Sequence, residues 1–336
     1  MSIIEKSNWT AIEAQTTAKT LETKDVIRVN EKHNISDFEM LDEHIFANRP
    51  DIRLMVAPSG WENNSYYDEV LQAIGNMKNL KRLELTIVSK QDLSALGNLT
   101  NLEELILEPK VEITVDFLSQ LQKLHTLEIT NLATYKGDKT GSLKSCAPIA
   151  QCKSLKKLYV YNMKKMDFEF AKELSIEDVL LYKPSGYQNE QCLFSSSLKS
   201  LTLMNMSNIE NLTFLSECKN MEDLTLIKMK KVVSLSGLSP EKLKKLTLTE
   251  TDGLTDLSIL SNAQNLETVI MEYPSKKCDM KEVSSILLAI PTLKEVQCEN
   301  TWGTKQRDTI YKLFETAGKR DIIRESEYKQ ASTQQT

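Results

Sequence analysis

Apolar residues recur along this chain in one six-position template, Leu-x-x-Leu-x-Leu. It reads LKRLEL from Leu80, LEELIL from Leu102, LHTLEI from Leu124 and LKKLYV from Leu155. It continues as IEDVLL from Ile176, LKSLTL from Leu198, MEDLTL from Met221, LKKLTL from Leu243, LETVIM from Leu266 and LKEVQC from Leu293. Successive starts are 22, 22, 31, 21, 22, 23, 22, 23 and 27 residues apart, a near-constant period that marks a repeat architecture. In each copy the fourth and sixth positions are two apart. As strand residues they share one face, and the residues flanking them point the other way. One such strand cannot bury its apolar face alone, whereas stacked coils make a continuous interior.

The segments between templates must carry the chain back to start a parallel neighbour. DLSALGNLT from Asp92, DFLSQLQK from Asp116, NLTFLSECKN from Asn211 and DLSILSNAQN from Asp256 have apolar residues three or four apart. That spacing predicts one helical or 3-10 turn laid on the core. Asp92, Asp116 and Asp256 fall where a helix N-cap is expected. Thr, Val and Ile cluster in and after the template, favouring strands over an array of helices.

The template resembles that of the leucine-rich repeat family over roughly residues 51–298. Its short period is similar to the class found in bacterial internalins and in a eukaryotic phosphatase regulatory subunit. The resemblance implies an α/β fold: a right-handed solenoid with a concave parallel sheet, short helical or 3-10 convex segments, and helical caps at both ends. The family's Asn position, two after the last Leu, is held by Asn131, Asn162 and Asn205, whereas Lys183, Lys228 and Glu250 occupy it elsewhere. A ladder of side-chain amides is therefore expected to be incomplete.

The expected organisation has five parts. Residues 1–36 carry no readable pattern and are either a further strand and helix or a mobile arm. Residues 37–79 form an N-terminal cap, with Phe38, Leu41 and Ile45 at helical spacing and Pro50 ending the run, followed by an irregular strand at Asp51–Val56. Repeats occupy 80–299. A C-terminal cap spans 300–325, with Ile310, Leu313, Phe314 and Ala317 on one helical face, Gly318 at its C′ position, and an edge strand at Asp321–Glu325. Residues 326–336 are a disordered tail. The 31-residue repeat contains ATYKGDKTGSLKS (133–145), a projecting loop by its glycines and polar residues, and YKPSGYQNEQC after Leu181 is a second one.

Composition narrows the function. The 336 residues carry 42 Lys and Arg against 47 Asp and Glu, interspersed, for a net charge of -5. That argues against general attraction to nucleic acid or to an anionic membrane surface. No apolar stretch is long enough to span a bilayer and no secretory leader is readable, so a cytoplasmic location is expected; export of an effector without a classical signal is the alternative. The six cysteines show no CxxC, and the three histidines, His33, His44 and His125, are far apart. No phosphate-binding, nucleophile-elbow or zinc-protease motif occurs, so no cofactor, metal or catalytic residue is expected. Buried Cys278 and Cys298 are expected as small core residues rather than nucleophiles.

A binding role remains: a monomeric scaffold or adaptor for a protein partner, a bacterial effector or adhesin-like binder of a host protein exported without a classical signal, or the regulatory subunit of an enzyme. On the template the outward columns are acidic or threonine-rich at both ends. Between them, Tyr159, Tyr161, Leu180, Tyr182, Met204 and Ile227 supply apolar and aromatic side chains from four consecutive strands. Such a patch is expected to bind a partner, with tyrosines as anchors, unless the 133–145 loop folds back over it.

Overall fold

A computed structural model describes residues 1–59, 66–131, 140–164, 166–185, 194–298 and 303–324. The chain forms two units, one of Met1–Ser175 with Pro184–Tyr187, the other of Ile176–Lys183 with Gln188–Thr336.

In the first unit the strands are β1 (Ile3–Glu5), β2 (Val26–Val29), β3 (Arg53–Val56), β4 (Arg82–Ile87), β5 (Glu104–Pro109), β6 (Glu112–Ile113), β7 (Thr126–Thr130), β8 (Ser142–Leu143) and β9 (Lys157–Tyr161). β1, β2, β3, β4, β5, β7 and β9 pair in that order, all parallel, and β6 pairs with β8 separately. The register keeps like template positions together: Leu83, Leu105, Leu127 and Leu158 lie side by side, each 0% exposed. Burying each such side chain contributes roughly 1.5–3 kcal/mol.

Residues 1–36, for which the template predicts nothing, form β1, a helix and β2. Ile3 pairs with Val26, and Val26 with Arg53, so the parallel sheet begins before the leucine template becomes readable. Their connections are true helices and not short turns: α1 (Ala11–Thr20), α2 (Ile35–Leu41) and α3 (Asp68–Gly75). Thr10 and Glu13 close a reciprocal capping box at the start of α1. Phe38 and Leu41 on α2 and Ile45 in the wide turn after it are buried, as their spacing predicts. Asp42 accepts hydrogen bonds from the Lys78 and Asn79 backbone N–H groups, 2.9 Å each, tying this segment to the chain entering β4.

From β4 onward in this unit, 3-10 turns replace helices, at Ser94–Asn98, Asp116–Gln120, Ala147–Gln151 and Glu169–Glu173. The N-cap expectation needs correcting. Leu93 is the N-cap residue, and Asp92, one step earlier, accepts from the Ser94 backbone N–H at 2.9 Å. Asp256 does the same for Ser258, while Asp116 lies within its turn. With 3-10 geometry and a single turn, a short side chain two residues upstream satisfies the first free N–H. The projecting loop at 133–145 is also revised: residues 132–139 lie outside the described residues, but Ser142–Leu143 are β8, with Leu143 buried.

In the second unit β10 (Asp178–Tyr182), β11 (Ser200–Met204), β12 (Asp223–Ile227), β13 (Lys245–Thr249), β14 (Thr268–Glu272), β15 (Glu295–Cys298) and β16 (Ile323–Arg324) pair in sequence order, again all parallel. Val179, Leu201, Leu224, Leu246, Val269 and Val296 form one buried row across it. Two helices end this unit, α4 (Met280–Ala289) and α5 (Thr304–Thr316). On α5 Ile310 and Phe314 are buried and Gly318 has φ +68°, the left-handed C′ geometry; Ala317 is exposed, contrary to expectation. The final strand is only Ile323–Arg324, because Arg320–Ile322 form a turn; Glu325 and the 326–336 tail lie outside the described residues.

At the position expected to hold an amide ladder, the first unit has side-chain bonds, Asn131 Nδ2 to the Gly141 carbonyl (3.1 Å) and Asn162 Nδ2 to the Asn131 carbonyl (3.0 Å); in the second unit the same position is a backbone device. Lys183, Asn205, Lys228 and Glu250 all have φ between +48° and +56°. Each donates its N–H to the last residue of the following strand: Lys183 to Met204 (3.0 Å), Asn205 to Ile227 (2.8 Å), Lys228 to Thr249 (2.9 Å) and Glu250 to Glu272 (2.9 Å). The left-handed turn satisfies the strand-end carbonyl whatever the side chain, so Asn is favoured there without being required.

A second regularity lies at template position two, where Lys and Glu alternate except at His125. Lys81 and Glu103 pair at 2.6 Å in the first unit; Lys199–Glu177, Lys244–Glu222 and Lys294–Glu267 pair at 2.7, 2.7 and 2.8 Å in the second. Each pair joins adjacent coils at the edge of the sheet. Exposed pairs of this kind add little stability.

Candidate functional site

Strand alternation divides every rung into an interior face and an outward one. On the outward face the structure places the six candidate residues in two groups. Tyr159 and Tyr161 stand on β9 of the first unit; Leu180, Tyr182, Met204 and Ile227 stand on β10, β11 and β12 of the second. All six are partly exposed, between buried neighbours.

Within the second unit Tyr182, Met204 and Ile227 occupy one cross-strand row, continued by Thr249 and Glu272. The parallel row starting at Leu180 runs into Thr202, Thr225, Thr247 and Ile270. Adjacent side chains in a row are about 4.8 Å apart, so the first three members of the Tyr182 row present one apolar strip beside a threonine strip. Asp223 lies on the same face; burial pushes its carboxyl above the usual range, against the pull of Lys245.

The first unit's outward face is more charged than the template columns suggest. One row runs Arg28, Met55, Glu84, Ile106, Glu128, Tyr159. Arg53 pairs with Glu84 at 3.2 Å and also with Glu104, which Arg82 holds at 2.8 Å. Glu108 takes Lys110 at 2.7 Å and the Thr86 hydroxyl at 2.9 Å. Burial raises Glu84 and Glu128, whereas for Glu104 burial is outweighed by Arg53 and Arg82, and its carboxyl is lowered. Thr130 pairs in register with Tyr161, is 9% exposed, and its hydroxyl has no hydrogen-bond partner among the described residues. Sequence reasoning passes over Glu128 and Thr130 because each looks like an ordinary polar residue of a repeat. Only the burial of their surroundings distinguishes them.

Elsewhere the polar groups are structural. His33 Nε2 meets the Lys6 carbonyl at 2.9 Å and its Nδ1 lies at Asn30; His125 is exposed and 3.5 Å from Glu103. Cys146, Cys152, Cys218 and Cys278 are buried, and burial pushes Cys152 and Cys278 up to about 12 and about 11, away from nucleophilic thiolate. The Cys298 side chain and Cys192 lie outside the described residues. A recess of about 490 Å³ lined by Gln15, His44, Asn48 and Arg49 is open, and Arg49 within it is already engaged by Asp51 at 2.8 Å. Among the described residues no group of three His, Cys, Asp or Glu could hold a metal ion, and no helix is long and apolar enough to cross a membrane.

Parallel rungs, buried leucine rows and short convex turns define a class, and comparison with solved structures agrees. An internalin (inlF) of Listeria monocytogenes is similar over 94% of this chain and 94% of its own, with 17% identity and a TM-score of 0.59. Lower likenesses include a TLR13–ssRNA13 complex (15% identity, 89% of this chain and 47% of that one, TM-score 0.48) and the leucine-rich repeat domain of the type III effector XopL (14%, 85% and 83%, 0.37). No protein-family model matches the sequence, and no curated protein does. The chain has the leucine-rich-repeat fold.

Proposed function

We propose that this chain is a non-enzymatic protein-binding scaffold that docks its partner on the outward faces of its parallel strands. Tyr159 and Tyr161 are the anchors in the first unit, and Leu180, Tyr182, Met204 and Ile227 in the second. The observation supporting this reading is the row Tyr182, Met204, Ile227: three large apolar side chains, aligned in register and left partly in solvent. The same row turns to Thr249 and Glu272 over the next two strands, so apolar character there is not required by the repeat. Exposed apolar area confined to one strip of a face is characteristic of an interaction surface. Tyrosine combines large contact area with a polar tip and few rotatable bonds, which suits an anchor.

The test is affinity capture from the native cell with wild-type chain, with Tyr159→Ala/Tyr161→Ala and with Tyr182→Ala/Met204→Ala, each shown by circular dichroism to be folded. A partner held by wild type and released by either double variant supports the reading. A partner retained by both refutes it.

A further inference from the structure

We infer that the outward face of the first unit carries a subsite for a basic side chain of the bound protein, an arginine by preference, seated at Glu128 and Thr130 between Ile106 and the tyrosines of β9. This deepens the docking reading and rests on it. The first observation is a charge left over. Of the carboxylates on this face, Glu84, Glu104 and Glu108 each have a cationic partner within 4 Å. Glu128 has neither an ion pair nor a hydrogen bond among the described residues, although it is only partly exposed. In register it stands between Ile106, 9% exposed, and the Tyr159 ring. Arg53 acts on it only at longer range, and burial raises its carboxyl against that pull. A half-desolvated carboxylate without a partner is a standing cost, removed when a cation arrives.

The second observation is independent of charge. Thr130, two residues further along β7 and on the same face, is nine-tenths buried, and its hydroxyl has no partner among the described residues. Glu128 and Thr130 are separated by about 6.7 Å along the strand. Both can accept, and each faces a tyrosine across the same strand pair, Tyr159 and Tyr161. A planar guanidinium matches that arrangement. Its forked donors can engage the carboxylate and reach the hydroxyl, while its faces stack on aromatic rings. A lysine ammonium satisfies the carboxylate but not the planar stacking. A metal ion is a poor fit, because one carboxylate and one hydroxyl fall short of the six to eight oxygens that a hard cation takes.

The experiment uses the full chain and a displayed library of short random peptides, selected on immobilised wild type. Enriched clones are then measured as synthetic peptides against wild type, Glu128→Gln, Glu128→Arg and Tyr159→Ala/Tyr161→Ala, with thermal melts confirming that each variant folds. The expected result is a shared Arg or Lys, at least about tenfold weaker binding to Glu128→Gln, and a switch to Asp or Glu at that peptide position when selection is repeated on Glu128→Arg. Peptides that lose binding to the tyrosine variant but change less than twofold with Glu128→Gln overturn the basic subsite and leave the docking face standing. Peptides indifferent to every face variant, or no enrichment at all, overturn both.

Discussion

Replacing Leu127 with Ala tests the assignment of interior and outward faces at the rung beneath the proposed subsite. Leu127 is 0% exposed and lies in register between Leu105 and Leu158, both also 0% exposed. Truncation removes three carbons, worth about 2.4 kcal/mol at about 0.8 kcal/mol each. The void adds to this, because partial collapse is the only relief, and rigid sites reach roughly 5 kcal/mol in total. Here both neighbours are held by backbone ladders, so we expect about 4 kcal/mol. Urea unfolding followed by circular dichroism measures it as a fall in midpoint at unchanged slope. Thr126→Ala, one residue away on the outward face, should stay within roughly 0.5 kcal/mol of wild type. A Leu127→Ala loss below about 1 kcal/mol, or an equal loss at Thr126, would refute the alternation on which the outward face depends.

Three further outcomes follow from local geometry. Gly237 has φ +95°, and a Cβ there would lie 2.6 Å from Thr213 Cα and 2.7 Å from the Leu212 carbonyl oxygen; Gly237→Ala should cost about 2 kcal/mol or more by the same unfolding assay, and a neutral result would contradict the close approach of these coils. Lys183 holds φ +48° with its side chain exposed, so Lys183→Gly should stabilise by roughly 0.5–1 kcal/mol while keeping the bond to the Met204 carbonyl; a loss of stability would show that the side chain, not the backbone, matters there. Burial raises the Glu128 carboxyl above its unfolded value of 4.5, so the folded chain binds that proton more tightly than the unfolded one and Glu128 destabilises the fold at neutral pH. Glu128→Gln should therefore be the more stable protein at pH 7. Its advantage should shrink as pH falls through the folded-state value toward 4.5, and urea midpoints showing no advantage at pH 7 would refute the burial argument.

Much of this architecture is written in the period of the leucines. A template repeating mostly every 21–23 residues is too short for a full helix in each crossover, so coils of strand plus 3-10 turn follow from spacing between Leu80 and Leu266, whereas the 27-residue coil from Leu266 to Leu293 has room for α4. Residues 1–36 escape that reading because α1 and α2 lengthen their coils and the strand cores are Ile and Val, which fit several patterns. The N-cap expectation at Asp92 and Asp256 fails by one residue, since single 3-10 turns are capped from further upstream. The turn position after each strand is legible as a column but not as a function. From Lys183 to Glu250 its variety of Lys, Asn and Glu makes sense once each is seen in a left-handed turn donating to the next coil.

The sequence by itself determined which residues face inward and which columns face out, because a period of two is a property of any strand. It also determined that Tyr159, Tyr161, Leu180, Tyr182, Met204 and Ile227 are outward residues. Tertiary structure decided how much each outward residue is desolvated and what stands beside it. Arg53 reaches Glu84 and Glu104 across coils, whereas among the described residues Glu128 is passed by and Thr130 is covered without a partner. Those differences arise from side-chain reach across the sheet, which residue identity in a linear repeat does not encode.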